Sequence, residues 1–204
     1  TVHAPFTNGN RCSVWDLTPY DRTLMIDSDY LTLTDILSTY WEVDSDLLIS
    51  GNYNDIQGHE RVGYLDTHIS ETGIEMLWAT TVMFTKNETT KIFFDLVSHV
   101  KEKYKMYSDI YRFNPIIFRN DIAFSIAKHI MNGHQKINEP KLPDIFSTAD
   151  KDILVDVSNK KLKFLVAQNN SDGYVATTIT NKDVHVMNKF SIMRNYDDLM
   201  ELAQ

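Results

Sequence analysis

Two carboxylates stand one residue apart in Thr23-Leu24-Met25-Ile26-Asp27-Ser28-Asp29. The four residues before them, apolar or β-branched, predict a buried strand. In an extended backbone, residues i and i+2 point to the same side. Asp27 and Asp29 at a strand end are therefore expected to aim at one point, in the crevice where open α/β sheets bind ligands. Paired like charges repel and are costly to desolvate. A hard divalent cation with oxygen ligands, Mn2+ or Mg2+, relieves both costs and leaves positions for a phosphate. The simpler reading is a strand ending in a polar turn, with Asp29 as a cap, and Asp-x-Asp alone does not separate the two.

Three further clusters carry candidate chemistry. In Asp183-Val184-His185-Val186-Met187-Asn188-Lys189, a histidine inside a short apolar strand needs partners for its ring nitrogens. Either a backbone carbonyl satisfies it, or its neutral imidazole completes an Asp-Asp-His cation site. Lys189, four residues on, can meet a phosphate as a point charge. In Phe118-Arg119-Asn120-Asp121, a predicted helix start exposes amides to an anion or a hydroxyl-rich ligand; plain capping by Asn120 is the alternative. Trp78-Ala79-Thr80-Thr81 offers a ring face and hydroxyls suited to a sugar, or simply core packing. There is no glycine-rich phosphate loop, no Cys-x-x-Cys and no His-Glu-x-x-His. His99, His129 and His134 read as structural or exposed, and Cys12 has no activating neighbour beyond Arg11.

These residues need a scaffold of alternating strands and helices. Short strands are expected at Leu47-Leu48-Ile49 and Trp78 to Phe84. A short helix capped by Thr34 is expected over Asp35 to Tyr40, and Gly51 to Gly63 as a polar loop. Ile92, Phe93, Leu96, Val97 and Val100 share one face of a helix from Glu88 to Tyr104. Ile122, Ile126 and Ile130 define another over Asp121 to Met131, capped by Asn120 and ended by Gly133. The prolines of Glu139 to Pro143 mark a sub-boundary near 139–151 within what otherwise reads as a single domain, 1–204. Strands follow at Asp152 to Val157, Lys161 to Gln168, Tyr174 to Ile179 and Val184 to Met187, with turns at Ser158-Asn159 and Asn169 to Gly173, then a helix from Tyr196 to Leu202. The class is α/β: a mixed sheet sandwiched by helices, with an antiparallel C-terminal extension.

The 204 residues, 43% of them hydrophobic, suffice for a substantial core. A net charge of -8 argues against general nucleic-acid binding, since no cationic excess displaces phosphate counterions. One cysteine excludes an intrachain disulfide and fits a reducing compartment. No apolar run approaches the roughly 20 residues of a membrane span, and no signal peptide opens the chain. It starts at Thr1 rather than Met, which reads as a processed, trimmed or excerpted product.

Taken together, the ordered clusters resemble nucleotide-sugar glycosyltransferases of the glycosyltransferase A (GT-A) fold. The plan is similar to that of the glycogenin and galactosyltransferase-like enzymes and of related proteins in tailed phages. Thr23 to Tyr30 looks like the family's strand plus Asp-x-Asp. Trp78 to Phe84 resembles its acceptor-side strand, and Arg119-Asn120-Asp121 resembles an Asp-Gln pair opening a helix. His185 with Lys189 looks like its late His and Lys. The resemblance runs from about Thr18 to Arg194. It implies Asp27, Asp29 and His185 as ligands of Mn2+ or Mg2+, and Lys189, Trp78, Thr80 and Asn120 in binding a nucleotide-sugar, a UDP-sugar by expectation. It implies Asp121 as the residue orienting a sugar or acceptor hydroxyl, and a cytoplasmic setting, the host's if phage-encoded. Three departures stand out. Only 26 residues precede Asp27, so the N-terminal nucleotide-binding half looks truncated or is supplied by a partner chain. Asn188 and Phe190 replace the family's Gly and Pro-Trp, and no Gln follows the pattern of Asp121. The rival readings are a non-catalytic binding or assembly module and a metal-dependent phosphohydrolase.

Overall fold

A computed structural model describes residues 9–59, 67–70, 73–158, 160–168 and 171–202. The chain is α/β and divides into two compact units. The first comprises the described residues of Thr1–Ile26, Asp44–Gly51 and Val62–Leu142; the second those of Asp27–Val43, Asn52–Arg61 and Pro143–Gln204. The last passage from one to the other falls at Leu142/Pro143, within the proline-bounded stretch.

In the first unit, strands β1 (Arg22–Ile26), β3 (Leu47–Ser50) and β5 (Trp78–Thr85) form an antiparallel sheet in the order β1-β5-β3. The central strand β5 is buried along nearly all its length, as its unbroken β-branched and apolar run predicts. β1 is only half-buried and Ile26 is exposed, so the expectation of a buried strand there is corrected. An edge strand covered on one face needs no full burial.

Helix α1 (Val14–Leu17) is one short turn, and α2 (Glu88–Glu102) is the longest helix described. Asn87 caps α2: its side chain accepts from Thr90 N at 3.0 Å while the Thr90 hydroxyl accepts from Asn87 N at 3.2 Å. Both first-turn donors are thereby satisfied reciprocally. Phe93, Phe94, Val97 and Val100 are buried on one face. The expected contribution of Ile92 fails: it is half exposed, and Phe94 takes the inward position. The predicted helix stops at Glu102, and a separate helix, α3 (Tyr104–Tyr111), follows. α4 (Asn120–Met131) buries Ile122, Phe124 and Ile126 and packs on α2 and β5. Its N-cap is Arg119, not Asn120, which is the first helical residue. Gly133 stops the helix with φ at 63°, a backbone that lacks a Cβ penalty only in glycine. Phe93 and Phe124 meet edge-on at 5.4 Å, and Phe84 and Phe94 at 4.8 Å. Burying each such ring contributes roughly 1.5–3 kcal/mol.

The second unit carries two sheets. β2 (Tyr30–Leu31), β10 (Val184–His185), β6 (Ile145–Ser147) and β4 (Tyr53–Asp55) form a mixed sheet in that order, with β2 antiparallel and β6 parallel to β10. β7 (Ile153–Ser158), β8 (Lys161–Ala167) and β9 (Tyr174–Thr180) form the predicted antiparallel meander. Its apolar core joins Leu154, Leu162, Phe164 and Ile179 to Val184 and Val186, which flank His185. The mixed sheet is thus four short strands of this unit rather than one continuous platform, and Val184 to Met187 shortens to two residues. The region from Ile36 to Tyr40 is a 3-10 helix, not an α-helix; Asp35 is the residue that precedes it, and the expected bond from Thr34 is present, its Oγ1 accepting from Ile36 N at 3.3 Å. Helices α5 (Lys189–Arg194) and α6 (Tyr196–Leu202) end the chain; α5 was not anticipated. The expectations for 1–8, 60–63, Asn159 and 169–170 lie outside the described residues.

Candidate metal centre

The carboxylates of Asp27 and Asp29 and the imidazole of His185 converge in the second unit. One ligand atom from each lies within 4.8 Å of the others. His185 Nε2 stands 3.1 Å from Asp29 Oδ1 and 3.7 Å from Asp27 Oδ2. Lys189 Nζ is 3.5 Å from Asp29 Oδ2. Asp29 and His185 are each 8% exposed, while Asp27 is half-buried and Lys189 reaches solvent.

The convergence arises differently from the expected alternation along a strand. β1 ends at Ile26, and Ser28 and Asp29 form a turn in which Tyr30 N donates to Asp27 O at 3.0 Å. The turn brings the two side chains together, and β2 then anchors Asp29 from behind. Tyr30 pairs with His185 across β2 and β10, and Val186 N donates to Asp29 O at 2.8 Å. The far side of His185 is held as firmly: its carbonyl accepts from Thr148 N at 3.0 Å and from Ser147 Oγ at 3.2 Å. Thr148 Oγ1 accepts from Met187 N at 2.9 Å. Backbone pairing, braced by the Ser147 and Thr148 side chains, places this imidazole opposite the acids.

Burial pushes the Asp29 carboxyl up, but the hydrogen bond from His185, the charges of His185 and Lys189 and a backbone contact outweigh it. The net effect holds Asp29 below the usual carboxylate range, so it stays an anionic ligand at neutral pH.

The donor set suits a hard or borderline cation: two carboxylates and one imidazole. Around a cation with ligand distances near 2.1 Å, ligand atoms stand about 3 to 4.2 Å apart. The two His185 distances fall in that interval, and all three ligand atoms lie within 4.8 Å of one another. Nε2 faces the carboxylates, and Nδ1 is buried with no hydrogen-bond partner among the described residues. Coordination through Nε2 would leave the proton on Nδ1, and no outer carboxylate orients the ring from there. Its alignment therefore rests on β10. This is also the single group of three or more potential ligands among the described residues.

Two residues in this site escaped sequence reasoning. Asn188 accepts from Ser191 N at 3.2 Å, capping α5, and donates to Asp152 O at 2.9 Å, which fixes where Lys189 starts. An Asn three residues before Ser, ahead of Ile192 and Met193, is a legible cap signal. Asp183 is buried, and its Oδ1 accepts from Leu33 N, Thr34 N and Thr34 Oγ1 at 2.8 to 2.9 Å. No local pattern announces that contact, since about 150 residues separate the partners.

The remaining expected site residues belong to the first unit. Trp78, Thr80 and Asn120 are buried there. Asp121 Oδ1 accepts from Ala79 N at 2.9 Å, and Oδ2 accepts from Arg119 Nη2 at 3.2 Å. The Arg119 guanidinium lies 5.6 Å from the Trp78 ring centre. The structure thus brings Trp78, Arg119 and Asp121 together and ties them to the start of β5.

The class these observations define is an α/β protein with an Asp-Asp-His constellation backed by a lysine. Comparison with known proteins gives no matching family model, no matching curated protein and no matching solved structure. No helix among the described residues is long and apolar enough to cross a membrane.

Proposed function

We propose that the chain is a metal-dependent glycosyltransferase of the GT-A type, moving a sugar from a nucleoside-diphosphate donor to an acceptor hydroxyl. The observation that carries this reading is the meeting of Asp27, Asp29 and His185, with Lys189 beside Asp29. In the transfer, the bond between the anomeric carbon and the diphosphate oxygen breaks and its electron pair leaves with the diphosphate. The acceptor oxygen bonds to the anomeric carbon, and its proton passes to the departing diphosphate or to water. Asp27, Asp29 and His185 would hold the cation, which would supply Lewis-acid neutralisation of the charge on the leaving diphosphate. Lys189 adds a second positive charge from a flexible, solvent-reaching stem. Trp78, Thr80, Asn120 and Asp121 belong to the first unit and carry no step of this reading.

The phosphohydrolase alternative needs more acidic or imidazole ligands around the cation than this group of three. The binding-module alternative predicts cation or sugar binding without turnover.

Calorimetric titration of Mn2+, with and without a UDP-sugar, tests the reading on the wild type and on Asp29→Ala. Wild-type binding that tightens with the donor and is lost in the variant is expected, together with slow release of UDP. Equal Mn2+ binding by both proteins overturns the metal role. Release of phosphate from simple phosphate esters, with no UDP release from sugar donors, replaces the transfer reading by hydrolysis.

A further inference from the structure

The second unit contains an open cavity of about 820 Å³. That volume lies inside the roughly 300–1,000 Å³ typical of small-ligand sites. One wall is the chain segment from Tyr30 to Asp35, which continues directly from the Asp29 turn. Lys160 and Asn181 face it from two turns, both in the left-handed backbone region, with φ at 57° and 51°. Leu199 and Leu202 of α6 add apolar surface.

The chemistry of the lining selects a ligand class. Among the lining side chains, the carboxylate of Asp35 and the ammonium of Lys160 offset each other, so the lining itself carries no net charge. The hydroxyl of Thr32 and the amide of Asn181 supply donors and acceptors without charge, whereas the Thr34 hydroxyl is engaged by Asp183 Oδ1 and Ile36 N. The Tyr30 ring and the two leucines supply flat apolar surface. A hydroxyl, an amide, a carboxylate and an aromatic edge around a neutral cavity match a neutral polyhydroxylated ligand with apolar ring faces.

The cavity wall is also built into the candidate metal centre. Tyr30 is paired with His185, and Asp183 holds Leu33 and Thr34 through three hydrogen bonds while lying two residues before His185.

We propose that this cavity is a saccharide-binding subsite, distinct from the cation centre, that holds a neutral oligosaccharide as acceptor or product. The assignment as acceptor rests on the sugar-transfer reading; the binding of a saccharide does not.

The test uses saturation-transfer NMR and calorimetry with maltotriose and lactose as probes, on the full chain. Three proteins are compared: wild type, Asp35→Ala/Asn181→Gly, and Asp29→Ala. Asp35 makes no side-chain cap bond to the 3-10 helix that follows it, and glycine accepts the backbone at 181, so the double variant is built to keep its fold. Retained Mn2+ affinity in the double variant verifies that fold. The expected result is binding of at least one probe by wild type, weakened about tenfold or more in the double variant and retained in Asp29→Ala. No binding of either probe to wild type at millimolar concentration overturns the proposal, as does equal binding by the double variant. Saccharide binding without UDP release from any donor leaves the subsite standing and removes sugar transfer alone.

Discussion

Asp29 is the residue on which the candidate centre turns, because it touches both His185 and Lys189. Its folded-state proton affinity is lowered, so the folded protein binds fewer protons there than the unfolded chain. By linkage, the stability it contributes is present above the unfolded carboxyl value, near pH 4, and is lost as pH falls through the lower folded value. Thermal melts of wild type and Asp29→Asn between pH 7 and pH 3 are expected to differ at neutral pH and to converge below about pH 4. Lys189 separates the two halves of the proposed chemistry. As a cation 3.5 Å from Asp29, it would compete with a metal for the carboxylate and, on the proposed reading, assist a diphosphate. Lys189→Ala should bind bare Mn2+ at least as tightly as wild type and a nucleoside diphosphate more weakly. Calorimetry in which both affinities fall together would assign Lys189 a purely structural part.

β2 and β10, at two residues each, are too short to hold themselves in place by their ladder alone. Their position depends on the side chains that brace them. Thr148 and Asn188 fix the end beyond His185, and Asp183 fixes the start by gathering the amides of Leu33 and Thr34. Asp183→Ala would strand those two donors in a part-buried place, at a cost on the order of 1–3 kcal/mol for each unsatisfied group. Urea unfolding is expected to show a clear loss of stability, with Mn2+ affinity falling as well because His185 is carried on the same strand. A stability loss with unchanged Mn2+ affinity would detach the brace from the centre.

At the scale of the whole molecule, the proposed ligands Asp27, Asp29 and His185 all belong to the second unit. A cation bound there stabilises that unit by mass action, about 2.7 kcal/mol at a hundredfold excess over its Kd. Hydrogen exchange with and without Mn2+ should therefore show added protection in 27–35 and 183–192, and little in 88–102 and 120–131. Uniform protection, or none, would place the cation elsewhere. Local chemistry made much of this architecture legible: the β5 run, the stop at Gly133 and the β7-β8-β9 meander all follow from residue types at short spacing. The candidate ligands were legible too, because acids after an apolar strand and a histidine within one are unusual in a core. The same residues pointed to Asn120 rather than Arg119 as the cap of α4 and to Ile92 rather than Phe94 as the inward side chain, and they left open how β2 finds β10. Those outcomes depend on surfaces from distant parts of the chain competing for the same space. The sequence by itself determined the α/β class, most of the elements and the candidate ligands. Only the tertiary structure decided that residues 27, 29 and 185 meet, because strand pairing across some 150 positions is selected by the packing of the whole unit and leaves no local signal.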